Sequence, residues 1–265
     1  MMSGLNLIGP ELKPNSKCWQ VLLPLKNGWA GSTIKSTYID DGRPVCFWGL
    51  GGNDKTANQC RNKKWLFTDM PYWNRWMGPE TADTCYWRVI PNALHETGIH
   101  EYPNNRCKDV RLLDWRTTGK HILVCPSSTP MTMWTCNQTE PIWVRYTIDQ
   151  LKKYTDRKIV IRHKPRLGKL SGPLVEKTSV EQDLLDCWAV VTNCSIVGAQ
   201  AAILGIPVFC HESSPAFAVG NTDLKDIEKP LMPDRQEWLN TLSYRQFTKL
   251  ELSNGFAKEV LQTFL

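Results

Sequence analysis

The sequence predicts an α/β fold built on a parallel sheet, and three observations carry that expectation. The first is the block from Asp186 to Cys210, which reads strand, turn, helix, strand. Residues 188–192 are apolar and rich in β-branched side chains, as suits a strand buried on both faces. Asn193, Cys194 and Ser195 supply turn chemistry, residues 197–204 are small and apolar, Gly205 is a helix stop, and Pro207 opens a second buried run at 208–210. A strand, a crossover helix and a second strand in so few residues form a βαβ unit, so the two strands are parallel. The second observation is a glycine-rich loop, residues 49–53, between an apolar run at 45–49 and a short helical pattern at 54–62 with Asp54 near its start. The third is a further βα series that begins at 121–125.

The remaining elements follow in order. Residues 1–16 hold Pro10 and Pro14, show no period, and read as an extended lead-in. Strands are expected at 18–25, 65–68 and 84–90, the last interrupted by Arg88, with irregular chain at 101–108. Residues 142–154 read as an amphipathic helix with Ile142, Tyr146, Leu151 and Tyr154 near helical spacing. A strand at 158–162 and a helix at 177–185 precede the central block, and closing helices are expected at 234–242 and 244–264, with Asn254 and Gly255 interrupting the latter. The boundary falls near 115–120. It separates an aromatic-rich acceptor-binding α/β domain, residues 1–118, from a regular βα domain with closing helices, residues 119–265.

Composition bounds the function. The chain of 265 residues, 42% hydrophobic and 22% charged, is that of a globular protein with a large core. No apolar run approaches the roughly 20 residues of a membrane span, and residues 1–16 lack the pattern of a signal peptide. Ten cysteines show no Cys-x-x-Cys pair and no zinc spacing, so they read as reduced thiols in a cytoplasmic protein, and no metal site is expected. The net charge of +6 fits anionic ligands such as nucleotides or nucleic acid, though many enzymes are as basic.

Candidate site residues sit at predicted strand ends. Ser195 and the amides of Ile196 through Gly198 begin a helix, where unpaired N–H groups favour an anion; a plain helix cap is the alternative. Arg162, His163, Lys164 and Arg166 form a dense cationic run after a strand, and a solvated loop is the alternative. Ser127 and Asn193 follow two other strands. In the first half, Gly51 and Gly52 can bring backbone amides to a phosphate or merely make a tight turn. Asp69 ends a strand and leads into Tyr72, Trp73, Arg75 and Trp76, an aromatic and basic loop suited to an acceptor, or a hydrophobic flap. Arg88 joins this group.

The order basic loop, helix, strand ending Thr192-Asn193-Cys194-Ser195, small helix, Gly205, Pro207 and Val208 resembles the C-terminal half of GT-B glycosyltransferases and the related sugar-nucleotide 2-epimerases. Their T-x-x-S-x-x-G-x-E-A-x-x-x-G-x-P-V block is matched by Thr192, Ser195, Gly198, Ala201, Gly205, Pro207 and Val208; Gln200 stands where the acid is usual. The first half and the close at 245–257 look similar to small bacteriophage glycosyltransferases. The resemblance implies two Rossmann-like domains facing a cleft and transfer from a uridine diphosphate sugar as co-substrate, without a cofactor. It implies that Ser127, Arg162, His163, Lys164, Arg166, Asn193, Ser195, Ile196 and Gly198 hold the nucleotide sugar, and that the reaction is metal-independent, since the sequence has no Asp-x-Asp run. Asp69 is the first choice as general base, with Asp54 and His95 in reserve. Gly51, Gly52, Tyr72, Trp73, Arg75, Trp76 and Arg88 would meet the acceptor, a hydroxymethylated pyrimidine in phage DNA on one reading, helped by Lys63 and Lys64. A polysaccharide-directed transferase, an epimerase and a non-catalytic nucleic-acid-binding protein are the alternatives.

Overall fold

The computed structural model of the chain describes residues 4–9, 16–163 and 179–265. In chain order its elements are β1 (Asn6–Ile8), α1 (Lys17–Gly28), β2 (Thr33–Lys35), β3 (Val45–Trp48), α2 (Asp54–Cys60), β4 (Trp65–Asp69), β5 (Trp87–Pro91), β6 (His121–Val124), α3 (Thr129–Cys136), α4 (Glu140–Leu151), β7 (Lys158–Ile161), α5 (Val180–Leu184), β8 (Cys187–Thr192), α6 (Val197–Ile203), β9 (Val208–Cys210), α7 (Gln236–Ser243), β10 (Gln246–Phe247), α8 (Lys249–Ser253) and α9 (Phe256–Leu261). They divide into two compact units, Met1–Glu96 with Leu242–Leu265, and Thr97–Thr241. The division expected at 118/119 therefore falls inside the second unit. Two backbone bonds show why: Leu113 N donates to Ile203 O at 3.0 Å and Arg116 N to Gly205 O at 2.6 Å, tying the segment before β6 to the end of α6.

The first unit holds a six-stranded sheet of order β10-β5-β4-β3-β1-β2. Strands β2, β1, β3 and β4 are parallel, β5 runs antiparallel to β4, and β10 antiparallel to β5. Three expectations are corrected here. Residues 6–8, expected in an extended lead-in, form β1 inside the sheet, because three fully buried residues are too few to show a period. Residues 18–25, expected as a strand, lie in α1: Cys18, Val21, Leu22 and Leu25 fall on one helical stripe and pack in the core with Leu252, Ala257 and Leu261. The closing helix expected at 244–264 is three elements. Gln246 and Phe247 pair with Arg88 and Trp87, Thr248 opens α8 through a reciprocal capping box with Glu251, and Gly255 at φ +92° separates α8 from α9.

The second unit holds a four-stranded sheet of order β7-β6-β8-β9, parallel throughout. Every residue of β8 is buried, as the continuous apolar run at 188–192 predicts. Gly205 ends the turn after α6 at φ +72°, with the Asp114 carbonyl lying where a Cβ would stand. The expected face of α4 is corrected in part: Leu151 is buried as expected, but Ile142, Tyr146 and Tyr154 are exposed, and Glu140, Val144 and Thr147 complete the buried stripe. That stripe carries two polar residues, so hydrophobicity alone misplaces it. Of the helix expected at 177–185, Val180–Leu184 is α5, and 177–178 lie outside the described residues.

The chain passes between the units at 96/97 and again at 241/242. Within the first unit, Arg245 Nε donates to Glu96 Oε2 at 2.6 Å. Within the second, His100 N donates to Thr241 Oγ1 at 2.8 Å, and that hydroxyl donates to His100 O at 2.9 Å. All ten cysteines are free thiols, and no described helix is long and apolar enough to cross a membrane.

Candidate functional site

In the second unit, parallel pairing brings every strand's carboxyl end to one edge. The chain runs from β6 outward to β7, then returns to the other side of β6 as β8. The order of succession therefore reverses between β6 and β8, and the loops after those strands flank this switch point, the place where open α/β sheets bind ligands. The loop after β6 carries Ser127 and Ser128; the loop after β8 carries Asn193, Ser195 and Ile196. One strand further out, Arg162 and His163 follow β7, with Arg162 N donating to Val124 O at 2.9 Å. Their Cα positions lie about two strand spacings, roughly 10 Å, from the β8 loop. The strand order thus brings together Ser127, Arg162, His163, Asn193, Ser195, Ile196 and Gly198, which lie far apart in sequence. Lys164 and Arg166 lie outside the described residues.

Burial separates these residues into two kinds. Asn193 is fully buried: its Oδ1 accepts from Ser127 N at 2.8 Å, its Nδ2 donates to Thr132 Oγ1 at 3.0 Å, and its carbonyl accepts from His211 N at 3.2 Å. The carboxamide joins the ends of β6 and β8 to α3, and the backbone carbonyl of the same residue ties in the end of β9. Ser127 is also buried, with its hydroxyl 3.3 Å from Cys194 Sγ. Both are candidate nucleotide contacts, and the structure places both in the interior, where the Asn193 carboxamide bonds one backbone N–H and one hydroxyl between the loops. Ser128, Ser195 and Ile196 are half-buried. Ser128 precedes α3 without capping it.

The turn into α6 is more occupied than a bare helix start. Ser195 N donates to Thr192 Oγ1 at 3.1 Å, Val197 N to Ser195 Oγ at 3.4 Å, and Gly198 N to Ser195 O at 3.0 Å. The amides expected to meet an anion here are in part bonded within the turn, and Ile196, not Ser195, stands at the N-cap. Gly198 lets the turn close: a Cβ there would meet Thr192 Cγ2 at 3.2 Å and Ser214 Oγ at 3.4 Å. Two of the expected cations are likewise matched. Arg162 Nη1 pairs with Asp183, and His163 Nδ1 lies 2.7 Å from Glu140 Oε1. Burial pushes the Cys210 thiol up to about 12 and raises Cys125 as well, so neither is a nucleophile near neutral pH.

Residues left out of the candidate set join this edge. His211 follows β9, and its Nδ1 lies 2.9 Å from Ser213 Oγ. The signal was present in the run His211-Glu212-Ser213-Ser214, a polar cluster after an apolar strand, as was Ser128 beside Ser127. No group of three His, Cys, Asp or Glu side chains is arranged to hold a metal ion among the described residues.

The first unit gathers a second constellation. Asp69 and Arg88 are register partners across β4 and β5, and Arg88 Nη2 lies 3.4 Å from Asp69 Oδ2. Arg88 Nη1 contacts His95, at 3.1 Å from Nε2 and closer to Nδ1. The guanidinium stands 5.5 Å from the ring centres of both Phe67 and Tyr72. Tyr72 N donates to Gln246 Oε1 at 2.9 Å, and Tyr72 OH accepts from Glu96 N at 3.3 Å. Burial raises the Tyr72 phenol's pKa, against the pull of Arg88.

The candidate residues of this unit differ in exposure. Tyr72 and Arg88, expected to face an acceptor, are buried, as is His95, a reserve base; Asp69 alone of the four reaches solvent, its side chain 26% exposed. Trp73, Arg75 and Trp76 are all half-buried; Trp76 packs one side against the core and lies 5.0 Å from Lys17 Nζ. Gly51 and Gly52 lie exposed in a loop that Asn53 fastens by donating to Trp48 O at 2.6 Å. Asp54 is exposed at the start of α2 and joins no other candidate.

Two α/β units, one with an all-parallel sheet and a switch point and one with a mixed sheet, make a Rossmann-like fold. Among solved structures, the chain is similar to Thermosulfurimonas dismutans KpsC, a beta Kdo 2,7 transferase, at TM-score 0.54 and 10% identity, covering 97% of this chain and 99% of that one. No protein-family model matches the sequence, and no curated protein does.

Proposed function

We propose that this protein is a glycosyltransferase that moves a sugar from a nucleotide-sugar donor to an acceptor hydroxyl. One observation carries the reading: the strand order β7-β6-β8-β9 puts the Ser128, Ser195 and Arg162–His163 loops at one edge, around a switch point. The nucleotide lies over that edge. Its phosphates meet the hydroxyls of Ser128 and Ser195, and Arg162 and His163 offset the charge that builds on the departing group. Asp183 and Glu140 keep those two side chains in place. No Asp-x-Asp run is present, so side chains rather than a bound metal take this role.

Asp69 takes the acceptor proton, because its carboxylate is the part of the first-unit constellation open to solvent. Two acceptors remain in view. A hydroxymethylated pyrimidine in DNA is supported by the net charge of +6. A saccharide hydroxyl is favoured by the burial of Tyr72 and the core packing of Trp76, which remove two stacking faces a flipped base needs, and by the likeness to a Kdo transferase.

A panel of nucleotides and nucleotide sugars, uridine diphosphate sugars first, tests the donor by thermal shift and by nucleotide release. Binding that falls about tenfold in Arg162→Met, the scale of one lost charged hydrogen bond, is the expected outcome; no shift with any nucleotide removes the reading. Hydroxymethyl-DNA and oligosaccharide acceptors, offered with labelled donor, then decide the acceptor. Asp69→Asn should lower turnover by about 10²-fold or more while nucleotide binding stays unchanged.

A further inference from the structure

We infer that Arg88 is a positioning residue, set by His95, that fixes which oxygen of Asp69 faces the acceptor; this rests on reading Asp69 as the group that meets the acceptor. Three features of the cluster point there. Arg88 is 2% exposed, in the middle of the apolar run of β5. A buried charge is costly to hold, and an apolar side chain of similar shape is often as stable or more so. As a stabilising device Arg88 is also poorly served. Its carboxylate contact is long at 3.4 Å, and its Nε has no hydrogen-bond partner among the described residues.

As a device for presenting a carboxylate the arrangement is well made. Phe67 and Tyr72 flank the guanidinium, and His95, itself 2% exposed, meets Nη1 with its ring nitrogens. With three sides taken, Nη2 is left to Asp69. Asp69 Oδ1 accepts from Met70 N at 2.7 Å, and Oδ2 faces Arg88. Two donors, one in the residue that follows β4 and one in β5, thus set the rotation of a carboxylate that is part-open to solvent. Pre-set geometry of this kind is what a positioned base requires. The cluster is held in turn from a distant segment, since Tyr72 leans on Gln246 and Glu96 on Arg245.

The test compares Arg88→Met, Asp69→Asn and the double variant. In the substrate-free arm, the Met70 amide is followed by nitrogen-15 NMR. Its chemical shift and hydrogen-exchange protection should change in Arg88→Met in the same direction as in Asp69→Asn; a Met70 amide unmoved by Arg88→Met overturns the inference. This arm needs no donor, so it stands apart from the glycosyl-transfer reading. In the catalytic arm, with the donor that the nucleotide panel identifies, Arg88→Met should lower kcat by about 10²-fold, with donor KM and melting temperature kept. The double variant should be no slower than Asp69→Asn alone, as for residues acting as a unit. Multiplying losses, or a kcat within about threefold of the parent, would sink it. Should Arg88→Met fail to fold, Arg88→Lys carries the same comparison, with an intermediate loss expected because an ammonium lacks the planar fork.

Discussion

The two sheets end in opposite ways. At the carboxyl edge of the second unit, the ties that join the β6 and β8 loops are neutral: a carboxamide, hydroxyls and backbone groups around Asn193, Ser127 and Thr132. At the corresponding place in the first unit, the buried ties are charged: Arg88 against Asp69 and His95, and Arg245 against Glu96. The topologies account for the difference. An all-parallel sheet leaves each strand end in a loop, and the loops need only local hydrogen bonds to hold shape. A mixed sheet folds antiparallel strands back across the edge, which draws residues from both ends of the chain into one dry place. Charges there must find partners or be lost. The second edge is therefore a surface with a rigid floor, and the first is a rigid interior with one carboxylate showing.

Three measurements would break or sharpen that contrast. The largest effect belongs to the charged edge. Glu96→Ala leaves Arg245, which is fully buried, without its carboxylate, and should lower stability by about 3–5 kcal/mol in urea unfolding. A loss under about 1 kcal/mol would place that pair among ordinary surface bridges. Next comes the neutral edge. Asn193→Ala removes bonds to Ser127 and Thr132 and should cost about 1–3 kcal/mol, with weaker nucleotide binding as the loops loosen; unchanged stability would show that the carboxamide is not their tie.

The smallest effect per group concerns thiols. Cys187 and Cys210 in the second unit are pushed up to about 12 by burial, and Cys18 in the first to about 11, from an ordinary value of 9.0. Above pH 9 the unfolded chain releases these protons and the folded one keeps them, so the native state binds more protons and stability falls as pH rises. The contribution is intact below pH 9 and is lost between about 9 and 12; the loss reaches about 1.4 kcal/mol per thiol at pH 10. Chemical denaturation at pH 8, 9 and 10 reads it. A flat profile would mean these thiols are not sealed. Cys136, the one half-buried thiol, should react first with a thiol reagent.

Much of the second unit was legible in the sequence because local rules set it. The run at 188–192, the small helix, Gly205 and Pro207 describe β8, α6 and β9 with almost no tertiary help. The first unit was less legible. A strand of three residues, β1, leaves no period to read. The apolar stripe of α1 is dense enough to pass for a strand, and β10 is two residues inside what reads as a helix. Among site residues, side-chain type and strand-end position pointed to Asp69, Arg88, His95 and Tyr72 without telling that they share one cluster, or that three of them are buried.

The sequence by itself determined where strands end in parallel βα units and which polar residues stand at those ends, because chirality and crossover length leave no other local solution. Only the tertiary structure decided which of those residues face solvent. Burial of Asn193 or Arg88 depends on partners such as Thr132 and His95, and on strands paired across long stretches of chain. No property of a single segment records that pairing.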